Sequence, residues 1–175
     1  MRPTTASYVI GQCLLNPPNE PQEDCVQPRI PPPLVMLLAA ALMWALHRWL
    51  PLGQLLATPW NYFAVLPAAI GRVITVAAGT RFRQARTTFD PFEPRKTTCL
   101  VTGGVFRVSR NPMYLGLLLL LVGWALWLGT VSPWFVPPLF VIVMTVTQIV
   151  PEERALEENF GETYLAYRHS VRRWI

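Results

Sequence analysis

From Asn111 to Pro151, forty-one residues pass without a single charge. As one helix this run would reach about 60 Å, twice the roughly 30 Å hydrocarbon core of a bilayer. It therefore has to fold back, and "LGTVSP" at 128–133 supplies the break, with a glycine and a proline that interrupt helix. Two apolar spans joined as a hairpin follow, at about 112–129 and 133–150. Two more apolar segments lie upstream, at about 34–50 and 58–79. Charged residues make up 14% of the chain, against about 25% in soluble domains. The expected fold is an all-α integral membrane protein, with four transmembrane helices and a cytoplasmic amphipathic C-terminal helix.

That last helix is expected at about 152–171, beyond Pro151. Leu156, Phe160, Tyr164, Tyr167, Val171 and Trp174 recur at steps of three and four, which draws one apolar stripe along a helix. Residues 1–33 differ in kind. They hold eight of the eighteen prolines and too little apolar surface to order themselves, so they read as a disordered leader before a membrane domain at 34–175. The n-region, apolar core and cleavage site of a signal peptide are not found there. Arg72 falls inside the second span, where a central charge costs about 2.5–3.5 kcal/mol. From there it can snorkel toward the end of the helix, about 10 Å away.

The net charge of +5 reports topology rather than a nucleic-acid partner. Seven of the fifteen basic residues lie between the second and third spans, and Arg154, Arg168, Arg172 and Arg173 follow the fourth. Short basic loops stay on the cytoplasmic side. Both termini are then cytoplasmic, which an even number of crossings also requires. No aromatic-plus-basic module accompanies the charge. The partners expected are membrane lipids and a lipophilic or small amphiphilic substrate, with no nucleic acid and no obligate protein partner. The short loops suit a bacterial inner membrane. Cys13, Cys25 and Cys99 form neither a CxxC pair nor an even framework, so neither a metal site nor a disulfide is read from them.

Polar groups converge on the cytoplasmic face. Thr102-Gly103-Gly104, Arg107, Arg110, Asn111 and Tyr114 come from the loop before the third span, and Gln148, Glu152 and Glu153 from the end of the fourth. Neighbouring helical residues point about 100° apart. One glutamate can then face a bound cation while the other pairs with an arginine such as Arg110 or Arg154.

"LVTGGVFRVSRNPMYLG", followed some thirty-five residues later by "EERALEENFGETYLAYRHSVRRWI", resembles the isoprenylcysteine carboxyl methyltransferase and phospholipid methyltransferase superfamily. The resemblance covers roughly 79–175. It implies a membrane-embedded methyl transfer from S-adenosyl-L-methionine without a Rossmann domain. Carried over by position, Cys99, Leu100 and Val101 would offer backbone contacts to the cofactor and Phe106 would pack on it. Asn111, Pro112, Met113 and Tyr114 would line its pocket, and Glu153 would meet its ammonium or ribose end.

Phe106 stands where the family usually has tyrosine, and Asn111 where the prenylcysteine enzymes have histidine. The position of their carboxylate-binding arginine is Ile149 here, with Gln148 beside it. That turns the expectation away from a prenylcysteine carboxylate and toward a lipid amine, a thiol or another small amphiphile. Such an acceptor has to lose a proton, and Tyr114 and Glu152 are the candidate catalytic groups. A polar cluster at the mouth of a leucine-rich helix is where a water-soluble donor and a membrane-borne acceptor can meet. Two other readings stand beside this one. Membrane sterol reductases share the architecture but use a nicotinamide cofactor, and their tyrosine is typically followed by Gly-Glu where Leu115 and Gly116 stand here. A non-catalytic membrane scaffold is the third.

Overall fold

Prolines in the first turn and glycines past the last one bound several of the helices. The computed structural model describes residues 30–84, with side chains as far as Thr80, and 102–175. Most of the expected leader, residues 1–29, lies outside the described residues, as does the stretch 85–101.

Helix α1, Pro32–Trp49, starts two residues before the expected span. Proline is at home there, because the first-turn N–H has no helical partner to lose. A 3₁₀ turn, Trp60–Ala64, leads into α2, Val65–Gln84. Helix α3, Pro112–Leu128, begins on its proline and stops at Gly129, whose φ of +69° is the left-handed conformation that closes a helix. Another 3₁₀ turn, Ser132–Phe135, starts a long helical rod that continues through α4, Val136–Met144, a π turn at Thr145–Ile149, and α5, Val150–Phe160. Helix α6 is Glu162–Ser170. Among the described residues there is no strand beyond a single bridge between Gln54 and Thr130.

The four long segments alternate in direction along the chain. At one end Ser132 Oγ donates to the Leu46 carbonyl at 3.3 Å, and His47 Nδ1 lies 2.9 Å from Thr130 Oγ1. At the other end Gln148 Nε2 donates to the Ile30 carbonyl at 2.9 Å. Helix α3 is apolar all round, with no polar face to show to water, and it takes the central place. It packs against α1, α2 and α4.

Small residues let α2 and α3 approach closely. A Cβ on Gly71 would come within 2.6 Å of the Gly116 carbonyl, and one on Gly123 within 2.9 Å of the Ala64 carbonyl. The face shared by Gly116 and Gly123 is thus a packing face.

Among the described residues, Trp60–Thr80 and Ser132–Phe160 are long and apolar enough to cross a membrane. Helix α3, at 17 residues, is about 26 Å long and somewhat short of a bilayer core. Leu37 and Leu38 on α1, Val65, Leu66, Val73 and Val76 on α2, and Phe135, Ile142 and Val146 on the long rod all point outward and exposed. Large apolar side chains stand exposed on three of the four long segments, which supports a membrane protein.

One boundary differs from expectation. The fourth helix does not end at Pro151 but runs 29 residues to Phe160, and the expected C-terminal helix at 152–171 is divided at Gly161 (φ +48°). Proline inside a helix removes one hydrogen bond and presses on the preceding turn. The wider π turn directly upstream accommodates that misfit, as π turns do elsewhere. The apolar stripe survives the division. Tyr164 is fully buried, and Leu156, Phe160, Tyr167, Val171 and Trp174 are all partly buried.

Candidate functional site

At the end of α3 opposite the hairpin turn, the two halves of the polar pattern meet. Asn111-Pro112 fixes the chain's entry into α3, which sets Tyr114 in the first helical turn, 3% exposed. Its hydroxyl donates to Glu152 Oε2 at 3.1 Å. Pro151 carries on into α5 rather than ending the rod, so Glu152 and Glu153 occupy a continuous helix and diverge as adjacent helical residues must. Glu153, 7% exposed, turns to the arginines.

Arg110 Nη1 lies 3.1 Å from Glu153 Oε1, and both side chains are 9% exposed. Arg173 grips the same carboxylate as a fork, Nε to Oε1 at 3.1 Å and Nη2 to Oε2 at 2.6 Å. Its raised pKa is caused first by this hydrogen bonding to Glu153. A buried carboxylate needs such partners, because an unpaired one would be neutralised instead. An ionised carboxylate has about four acceptor positions. Arg173 fills one on each oxygen and Arg110 stands against Oε1 as an ion pair, so among the described residues an acceptor position remains on Oε2.

The tail is tied to the loop by its backbone as well. Arg110 N donates to the Arg172 carbonyl at 3.0 Å, and Asn111 Nδ2 and Ser109 Oγ donate to the Arg173 carbonyl at 3.1 and 3.3 Å. Ser109 Oγ also receives the Asn111 backbone N–H at 3.1 Å. Tyr167 donates to the Phe106 carbonyl at 2.6 Å, anchoring α6 to the 3₁₀ turn Gly104–Arg107. Phe106 itself is buried, Pro112 is buried and Met113 is half-buried.

Of the residues singled out from the sequence, Phe106, Asn111, Pro112, Met113, Tyr114, Glu152 and Glu153 all fall at this one end of the bundle. Cys99, Leu100 and Val101 lie outside the described residues. Sequence reading missed Ser109, Tyr164, Tyr167 and above all Arg173, which it counted only as a topological charge. The available signal was the invasion of the apolar stripe by a basic pair just before Trp174. Gln148 and Ile149, where a carboxylate-binding arginine was considered, lie in the π turn, 3% and 0% exposed, with Gln148 committed to the Ile30 carbonyl. An open cleft of about 380 Å³ lined by Pro59, Trp60, Tyr62 and Phe63 lies at the opposite end of the bundle, away from this chemistry.

Burial, above all other causes, raises the pKa of both Tyr164 and Tyr167. Both phenols hold their protons to higher pH in the fold than in the unfolded chain, where tyrosine ionises near pH 10. Their contribution is thus complete below about pH 10 and is lost as the pH rises through their folded values. Thermal melts in detergent between about pH 8 and 11 should show the midpoint falling above about 10. Tyr167→Phe should fall less steeply there, and at neutral pH should lose about 1 kcal/mol with its hydrogen bond. An unchanged slope in Tyr167→Phe would remove this tyrosine from the account.

No solved structure matches the chain. An uncharacterised protein of Haemophilus influenzae is 46% identical over 63 residues, which are 36% of this chain and the whole of that protein. A family model described as phospholipid methyltransferase matches residues 59–163. That match takes in more than half of the chain, from just before the 3₁₀ turn that leads into α2 to the beginning of α6, and it includes Tyr114, Glu152 and Glu153 of the polar cluster. The chain belongs to the phospholipid methyltransferase family.

Proposed function

We propose that this methyltransferase takes its methyl group from S-adenosyl-L-methionine and passes it to a lipophilic or small amphiphilic acceptor at the cytoplasmic face of the membrane. The observation that carries the reading is the contact of the two motif halves, Tyr114 with Glu152 at 3.1 Å and Arg110 with Glu153 at 3.1 Å. Separated in sequence by about forty residues, they converge where α3 leaves the polar surface. We further propose four crossings with both termini cytoplasmic, in a bacterial inner membrane. The alternating direction of the four long segments and the basic residues at the site's end of the bundle support that arrangement.

The residues suit such a donor. S-adenosyl-L-methionine supplies an activated methyl on a sulfonium and carries an ammonium group. The open acceptor position on Glu153 Oε2 suits one N–H of that ammonium. Gly103 has no atom within 4 Å of where a Cβ would stand, and Gly104 takes φ +66°, so backbone at this turn can come close to a ligand. Tyr114 orients Glu152, which is placed to accept a proton from an amine or thiol acceptor. The chain's chief contribution is position, worth up to about 7–11 kcal/mol when reactants are held in line. The absence of an arginine at Ile149 and the engagement of Gln148 with Ile30 favour an amine or thiol over a prenylcysteine carboxylate. Family membership does not favour the nicotinamide-dependent reductase.

Calorimetric titration of the detergent-purified protein tests the donor. Saturable binding of S-adenosyl-L-methionine, with no binding of nicotinamide cofactors, is the expected result. Folded protein that binds a nicotinamide cofactor, or neither ligand, would sink the proposal.

A further inference from the structure

The last five residues do more than finish the chain. Val171 leaves α6 in extended conformation, with φ −130° and ψ 135°, and Trp174 packs against the central apolar cluster. Between these anchors Arg173 faces two of the side chains assigned to the cofactor site. Its guanidinium holds Glu153 and its carbonyl accepts from Asn111.

The two contacts differ in what they can fix. A guanidinium fork is planar and rigid, so a bidentate grip sets the plane of the carboxylate as well as its place. Arg110 makes no such fork: its Nη1 stands 3.1 Å from Oε1 as an ion pair and also donates to the Tyr164 hydroxyl at 3.4 Å. The Arg110 Nε is buried without an acceptor. Arg110 therefore supplies charge, while the orientation of Glu153 comes from Arg173. The remaining acceptor position on Oε2 faces wherever Arg173 leaves it.

We propose that Arg173 is a positioning residue of the cofactor site: its guanidinium aligns the Glu153 carboxylate and its carbonyl aligns the Asn111 amide, so that the C-terminal tail sets the geometry in which the methyl donor is held. This rests on the donor assignment made above. Arg173 touches no reacting atom and acts through Glu153 and Asn111.

The test is calorimetric titration of S-adenosyl-L-methionine into full-length wild type, Arg173→Ala, Arg173→Lys, Glu153→Gln and the Arg173→Ala/Glu153→Gln double variant, each melted in parallel. Arg173→Ala should raise Kd about tenfold, the worth of one good charge-assisted contact. Arg173→Lys keeps the charge without the fork and should fall between Ala and wild type. In the Glu153→Gln background the Ala substitution should add little, because residues acting through one another are not additive. If Arg173→Ala does not fold, the Lys variant carries the comparison.

Wild-type affinity in Arg173→Ala, with only a lower melting point, would reduce the tail to a structural tie. Tighter binding in that variant would mean that the guanidinium competes with the donor, and would also overturn the proposal. Folded wild type that binds no donor overturns the donor assignment itself, and the positioning role falls with it. Binding by wild type that ignores Arg173 overturns the positioning role alone.

Discussion

Glu153→Gln is expected to cost about 3–5 kcal/mol of stability, because removing one member of a buried ionic cluster strands the others. Here the stranded groups are Arg110, whose side chain is 9% exposed, and Arg173, at 35%. The neutral amide fills nearly the same volume, so the loss is electrostatic rather than steric. Donor binding should weaken about 10- to 100-fold as well, the range for losing one hydrogen bond to a charged group. Glu152→Gln is the informative partner. Glu152 is half-buried and receives the Tyr114 hydroxyl; losing that bond costs about 1 kcal/mol, and the Glu152→Gln loss should stay below that of Glu153→Gln. Thermal melting of the two variants side by side checks this. Equal losses would show that the Glu153 cluster does not hold the tail to the bundle.

Gly116→Val is the second large effect. A Cβ at Gly116 would land on the Thr75 hydroxyl and within 2.7 Å of the Gly71 carbonyl. Thr75 is itself tied down, its hydroxyl donating to Gly71 O at 2.9 Å. Backbone on one side and a hydrogen-bonded side chain on the other cannot both retreat, so α2 and α3 have to separate. Overpacking of this kind costs about 1–3 kcal/mol and sometimes more, and the upper part of that range or beyond is expected. Gly79 lies on the same helix as Gly71, but nothing stands within 4 Å of its would-be Cβ. Gly79→Ala should be neutral or stabilising by up to about 1 kcal/mol, since alanine is the better helix former. A melt in which Gly116→Val matches Gly79→Ala would refute the close approach of the two helices.

Local chemistry was legible in the sequence and proved reliable. Pro112 and Gly129 bound α3 where the uncharged run had to start and turn, and the steps of three and four from Leu156 to Trp174 mark a face that is indeed turned inward. Pro151 misled. Proline is a strong local stop signal, but the helix passes it because a π turn upstream, in a rod held by α1 and α3, takes up the strain. A short-range rule lost to packing.

The glutamate pair was legible in part. Divergence of adjacent helical side chains required Glu152 and Glu153 to have different partners, and they do. The sequence offered Arg110 as a partner, as found, but not which glutamate would take it or that Arg173 would join it. Arg110 lies on a different element from Glu153, and Arg173 is twenty positions further on. Seven arginines and lysines in the preceding loop and four in the tail offered cations in excess. What the sequence by itself determined was an all-helical chain, the hairpin turn, and the polar end of the bundle, because hydrophobic length and turn residues act over a few positions. What only the tertiary structure decided was the choice of Arg173 for Glu153 and of Glu152 for Tyr114. Charge is pairable at a distance, and which pairs form depends on how α3, α5 and the tail are brought together by the burial of their apolar faces.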